Sequence, residues 1–207
     1  MDGPAARLAV SPNAQWLAAG TLTGRIVVRD TRSWKPIYTN SCGPGQVTAL
    51  KFYPDCRALL AAIKISEGTN RLVRVELTGR AGRSSPEHHK GMVTALAFSP
   101  DGAWVAGSSR DGIVRLWGSQ SLVRVGTFRG HSGYVTSAAF SPDGHTLAMA
   151  SNDDTVKLWS VENRQELFTM PGHIAPWTQL AFSPDGTELV GCGEAGLVRV
   201  WRAAPTP

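Results

Sequence analysis

A serine, an aspartate and a histidine are the working parts of many hydrolases: a hydroxyl nucleophile, a base, and an acid that orients the base. Ser151 and Asp153 occur in "SNDDTVKLW" (151–159), and His131 lies twenty residues before that serine. The same three types stand at His89, Ser109 and Asp111, each 42 residues earlier. Catalysis needs one exposed nucleophile beside an oxyanion hole, whereas a set duplicated at a fixed spacing is what a repeated structural fastener requires. Neither serine sits in a Gly-x-Ser-x-Gly elbow. Both sets therefore read as structural, and no enzyme activity is expected. No close group of His, Cys and Asp has metal-ligand spacing, and no Gly-rich turn leads from a strand into a helix, so neither a metal nor another cofactor is expected.

The elements that must position these residues recur with them. "SPNA" at Ser11, "YPDC" at Tyr53 and "SPDG" at Ser99, Ser141 and Ser183 are spaced 42, 46, 42 and 42 residues apart. Each later unit reads as an apolar strand ending in Phe, a Pro-Asp-Gly turn, a second apolar strand, a tight polar turn, a third strand such as "TVKLW", and a weaker fourth. Short turns join antiparallel neighbours, so each unit is a four-stranded meander. Val156 and Leu158 take one face of their strand and Trp159 the other. Both faces are thus apolar, as expected where units stack face to face around an axis.

Residues 130–160, "GHSGYVTSAAFSPDGHTLAMASNDDTVKLWS", resemble the WD-repeat β-propeller family in their Gly-His opening, Ser-Pro-Asp-Gly turn, Ser-x-Asp turn and closing Trp. The resemblance implies an all-β fold of four-stranded antiparallel blades. Five units fill the chain at about 5–42, 43–86, 87–130, 131–172 and 173–203, followed by a short tail at 204–207. Arg29 and Glu76 replace the Trp in the first two units, and the second carries extra residues around "IKISEGTN". The family also implies a buried hydrogen-bond chain from Trp to Ser to His to Asp. Here that maps onto Trp159, Ser151, His131 and Asp153, and onto Trp117, Ser109, His89 and Asp111. The fifth unit keeps His173 and Trp201 but has Gly193 and Ala195 for Ser and Asp. Family members close their ring with a strand from the N-terminus. Lacking one, the five units are expected to form an incomplete, N-terminally truncated ring, a fragment whose exposed end blades favour self-association.

A propeller presents its loops to partners. The residue three after each His and the residue before each turn Asp share one rim by the repeat alignment: Met92, Tyr134, Pro176, Arg110, Asn152 and Glu194. Trp177 lies beside them. It reads equally as an anchor on that rim, with Tyr134 and Arg110, or as filler for the missing fifth fastener. The formal charge of +5 is uneven: residues 1–103 hold 13 Lys+Arg against 7 Asp+Glu, and 104–207 hold 8 against 9. The densest basic stretch, 71–90, contains Arg71, Arg74, Arg80, Arg83, His88, His89 and Lys90, diluted by Glu76 and Glu87. Cations also recur at Arg74, Arg115, Lys157 and Arg199, which spreads charge and disfavours nucleic acid as a partner.

The expected function is that of a non-catalytic protein- or peptide-binding scaffold, the C-terminal module of a larger regulatory or signalling protein. The alternative is a phosphate- or nucleic-acid-binding surface at residues 71–90. Cys42, Cys56 and Cys192 are scattered and odd in number, so they read as small buried residues. With neither a secretory signal nor roughly 18 consecutive apolar residues for a membrane span, a cytoplasmic location is expected.

Overall fold

The turns and β-branched runs form strands where the repeat places them. The computed structural model describes residues 4–77, 82–85, 90–170 and 177–202. Its strands make five antiparallel sheets, each hydrogen-bonded in chain order. The first holds β1 (Ala5–Val10), β2 (Trp16–Thr21), β3 (Arg25–Asp30) and β4 (Pro36–Ser41). The second holds β5 (Gln46–Phe52), β6 (Ala58–Ser66), β7 (Thr69–Glu76) and the short β8 (Arg83–Ser84). The third holds β9 (Val93–Phe98), β10 (Trp104–Ser109), β11 (Ile113–Gly118) and β12 (Arg124–Arg129). The fourth holds β13 (Val135–Phe140), β14 (Thr146–Ser151), β15 (Val156–Ser160) and β16 (Glu166–Met170). The fifth holds β17 (Trp177–Phe182), β18 (Glu188–Gly193) and β19 (Val198–Arg202), with a 3-10 turn at Glu194–Gly196. Each sheet is one blade. The extra residues of the second unit lengthen β6 and β7, which stay paired out to Ser66 and Thr69.

The chain divides into two compact units at Leu96, within β9. One contains the first two blades and residues Gln120–Val123; the other contains the rest of the third blade with the fourth and fifth. Within the first unit, Gly20 on β2 approaches the second blade so closely that a Cβ would lie 2.5 Å from Val47. In the second unit the fourth blade is buried on both faces. Leu147, Met149 and Trp159 pack with Val114 and Phe128 of the third blade. Ala148, Ala150 and Val156 pack with Trp177 and Leu180 of the fifth. The expected parity of Val156 and Trp159 is what separates these two clusters.

The Ser-Pro-Asp-Gly turns explain their own composition. The Ser99, Ser141 and Ser183 hydroxyls each accept the backbone N–H five residues on, at Trp104, Thr146 and Glu188, at 2.9 Å. Gly102, Gly144 and Gly186 take left-handed φ of 69°, 76° and 75°, where a Cβ is unfavourable. Ala14 and Cys56 occupy the same position in the first two units at φ of 56° and 61°, a local strain of roughly 1–2 kcal/mol each.

Near the start of three inner strands a threonine occupies a bulge. Thr48, Thr136 and Thr178 donate to the carbonyls of Ala62, Ala150 and Cys192 at 3.3, 3.2 and 3.0 Å. Neighbouring blades are tied there too: Arg7 Nε donates to Thr48 O at 2.6 Å, Thr136 Oγ1 to Trp177 O at 2.6 Å, and Leu180 N to Ser137 Oγ at 3.1 Å. Leu8 and Val10 on β1 are 64% and 60% exposed, and Val198 and Val200 on β19 are 62% and 45% exposed. Of the cysteines, Cys56 is buried and Cys42 half-buried, but Cys192 is exposed. That corrects the expectation for Cys192, because β18 turns Leu189 and Gly191 inward and Val190 and Cys192 to the opposite face.

Candidate functional site

The loop before β13 and the β14–β15 turn meet at Asp153. Its Oδ2 accepts the His131 Nδ1–H and the Ser132 backbone N–H, both at 2.9 Å. Its Oδ1 accepts the Thr155 hydroxyl at 2.7 Å and the Thr155 backbone N–H at 3.1 Å. Burial alone would raise the Asp153 pKa, but Thr155 and His131 outweigh it and bring the group down to about 2. For His131 burial wins: it pushes the imidazole below its ordinary pKa despite the upward pull of Asp153. The proton therefore sits on Nδ1 of a neutral ring held by an ionised carboxylate.

The rest of the expected chain is arranged differently. The Ser151 hydroxyl accepts the Asp153 backbone N–H at 3.1 Å. His131 Nε2 and Trp159 Nε1 are buried without a hydrogen-bond partner among the described residues. Ser151 and Ser109 are both 0% exposed. Ser151, with neither access nor a hydrogen-bonded base among the described residues, is placed to cap a turn. In the third blade Asp111 takes Arg115 as its partner, through a bidentate ion pair at 3.1 and 2.5 Å. Burial acts to raise the Asp111 pKa, and the Arg115 hydrogen bonds and charge more than reverse that, leaving it lowered. Ser109 Oγ lies 3.4 Å from the Asp111 N–H that it accepts. Trp117 is fully buried. His89 lies outside the described residues. Sequence reasoning missed Thr155, whose signal was its place two residues after the turn Asp, where the third blade has Ile113.

Three of the expected rim residues come together. The Arg110 guanidinium lies 5.8 Å from the centroid of the Tyr134 ring, and Tyr134 is 51% exposed. The Asn152 N–H donates to Tyr134 O at 3.0 Å, so the exposed Asn152 stands beside them. Gly133 is required here, since a Cβ would fall 2.3 Å from Asn152 Oδ1 and 3.0 Å from Asp153 N. Glu194 is exposed on the 3-10 turn, and Met92 is half-buried in the first unit. Pro176 lies outside the described residues. Trp177 is not a rim residue: it is 0% exposed and packs on Trp201 at 5.1 Å between centroids. Its slot is the one filled by the buried Val93 and Val135 in earlier blades, and Gly191 leaves room for the larger ring, with a Cβ there 3.0 Å from Trp177. Trp16 is half-buried and packs on Phe52 at 6.4 Å, and Trp104 is 37% exposed.

The recurring cations are engaged mostly inside their own blades, and Arg74 also donates to Gln120 of the β11–β12 turn. Arg74 pairs with Glu76 at 2.6 Å and lies over Tyr53 at 4.5 Å. Lys157 pairs with Glu166 at 2.9 Å, and Arg199 lies over Trp201 at 5.5 Å. In the basic stretch, Arg71 donates to the Cys42 carbonyl, Arg83 and Lys90 are exposed, and Arg80 and His88 lie outside the described residues. Among the described residues no group of three or more His, Cys, Asp or Glu is placed to hold a metal ion, and no helix is long and apolar enough to cross a membrane.

The family WD40, described as "WD domain, G-beta repeat", matches residues 82–118, 122–160 and 164–202, together more than half of the chain. Among curated proteins, Transducin beta-like protein 3 of Bos taurus is 32% identical over 120 residues, which are 58% of this chain and 15% of that relative's length. Repeats of this kind are in general protein-interaction scaffolds. With five antiparallel sheets built on one repeated strand–turn pattern, the chain belongs to the WD-repeat family.

Proposed function

We propose that the chain is a non-catalytic scaffold that binds a protein or peptide through the surface formed by Arg110, Tyr134 and Asn152. The observation that carries this reading is the exposed Tyr134 ring under the Arg110 guanidinium, seated on a loop that His131 and Ser132 tie to Asp153. Tyrosine and arginine supply large contact area and directional donors. An anchored loop loses little entropy on binding. Service as one module of a larger regulatory or signalling protein belongs to the same proposal, supported by a relative of which the chain matches only 15%.

The test is selection of binding peptides from a displayed library, followed by calorimetry on variants. Tyr134→Ala and Arg110→Ala should each weaken the selected peptides by about 1–2 kcal/mol with an unchanged melting temperature. Unchanged affinity in both variants would move the binding surface elsewhere. Loss of binding on charge reversal at Arg80 and Arg83, with steep salt dependence, would favour a polyanion partner at residues 71–90.

A further inference from the structure

The Ser-Pro-Asp-Gly turns before β10 and β14 come from successive repeats and lie side by side. A Cβ on Gly144 would stand 3.5 Å from Pro100 Cδ, which brings Asp101 and Asp143 to one place. Both line a groove of about 760 Å3 together with Trp104, Leu116, Val161 and Glu162. Leu116 is buried and Val161 half-buried, whereas Trp104 is 37% exposed. The groove lies at the opposite end of β10 (Trp104–Ser109) from Arg110 and the rim. Each turn carboxylate spends one oxygen on its own turn. Asp101 Oδ1 accepts the Ser99 hydroxyl and, at 3.0 Å, the Ala103 N–H; Asp143 Oδ1 accepts the Ser141 hydroxyl and, at 2.9 Å, the His145 N–H. The serine hydroxyls foremost, then the backbone N–H groups, hold both carboxyls below their ordinary pKa. Among the described residues neither these two nor Glu162 is in an ion pair. His145 and Arg164 also line the groove, but Arg164 Nε is drawn onto the backbone of Gly126, where a Cβ would stand 2.7 Å from it.

Three carboxylates around an exposed indole favour a cation: the carboxylates supply charge and acceptors, and the indole face attracts a guanidinium or ammonium group. The apolar lining suits the methylene stem of such a side chain and its apolar neighbours. A phosphate or a continuous polyanion is repelled by the same charges. The chain as a whole carries +5 and opposes cations, so any attraction is local to this groove. The next junction lacks the device. Thr146 and Glu188 stand where the third unit has Trp104, and Glu188 is paired with Arg202 at 2.7 Å. We propose that the groove is a second binding surface, separate from the rim, for a basic peptide segment whose Lys or Arg side chain lies against Trp104 and the carboxylates of Asp101 and Asp143.

Fluorescent peptide libraries that share randomised flanks and differ only in a central arginine, glutamine or phosphoserine are titrated into the full chain and followed by anisotropy. The arginine library should bind about tenfold more tightly than the glutamine library. Asp101→Asn combined with Asp143→Asn leaves an acceptor oxygen for each turn and removes both charges, so it should abolish that preference with an unchanged melting temperature. Glu162→Gln and Arg164→Gln, away from both serine turns, check the same charge balance: the first should weaken the arginine library and the second strengthen it, each about twofold. Trp104→Ala should reduce the arginine preference and Tyr134→Ala should leave it intact, which separates the groove from the rim. Equal binding of the arginine and glutamine libraries, or a preference unmoved by the Asp101 and Asp143 changes and by Glu162→Gln, would overturn the proposal. A preference lost in Tyr134→Ala and kept in Trp104→Ala would overturn the groove as its seat, and tighter binding of the phosphoserine library would overturn the basic ligand.

Discussion

His131 Nδ1 lies 2.9 Å from Asp153 Oδ2, in a pair whose side chains are 2% and 10% exposed. Burial makes the folded imidazole harder to protonate than an unfolded one, and its hydrogen bonds do the same for Asp153, despite burial. Both folded values lie below the unfolded ones, so each contribution is complete above the unfolded pKa and is lost as pH falls. The melting temperature should drop below the ordinary imidazole value of 6.5, and again from 3.8 towards about 2. His131→Ala should cost about 1–3 kcal/mol at pH 8 and flatten the first drop. Melts followed by circular dichroism from pH 8 to 3 check this, and a wild-type curve level between pH 7.5 and 5 would contradict it.

Trp177 is fully buried against Trp201. Trp177→Ala should destabilise the chain by about 3–5 kcal/mol. Gly191→Ala forces a Cβ to 2.8 Å from Trp201 and should cost about 1–3 kcal/mol by overpacking. Urea unfolding measures both. A Trp177→Ala variant with wild-type stability would return this residue to the surface.

The Asp111–Arg115 pair joins a guanidinium 8% exposed to a carboxylate 23% exposed. Arg115→Leu strands an ionised Asp111 and should destabilise by about 3 kcal/mol, whereas Arg115→Leu combined with Asp111→Asn should cost less. The comparison is a double-mutant cycle in urea. Additive losses would show that the two groups do not support one another.

Leu8 and Val10 leave apolar surface on β1, and such surface favours association. The apparent mass from light scattering should rise with protein concentration, and Leu8→Lys with Val10→Lys should suppress the rise. A wild-type chain of constant monomeric mass would dismiss this expectation.

The repeated turns were legible because their causes are local: a serine hydroxyl, an Asp and a left-handed Gly within five residues need no distant partner. The parity of Val156 and Trp159 was legible for the same reason. Trp177 was half-legible. Its alignment with Val93 and Val135 already placed it in an apolar slot, but the space that admits an indole is made by Gly191 and by Ala148 and Ala150 of the neighbouring blade. The Asp111–Arg115 pair was not legible, since Arg115 read only as one of the recurring cations and nothing in the sequence tied it to the turn carboxylate four residues before it.

The hydrogen bonds that tie one sheet to the next span 41 residues from Arg7 to Thr48 and from Thr136 to Trp177, and 43 from Ser137 to Leu180. Each ties a repeat to its immediate neighbour, about one repeat length away. Energy shared in that way behaves as a row of coupled cooperative units and not as one all-or-none transition. Damage to one repeat should therefore fade with distance along the row: amide exchange would accelerate in the altered repeat, less in the adjoining one, and least in a repeat two places away.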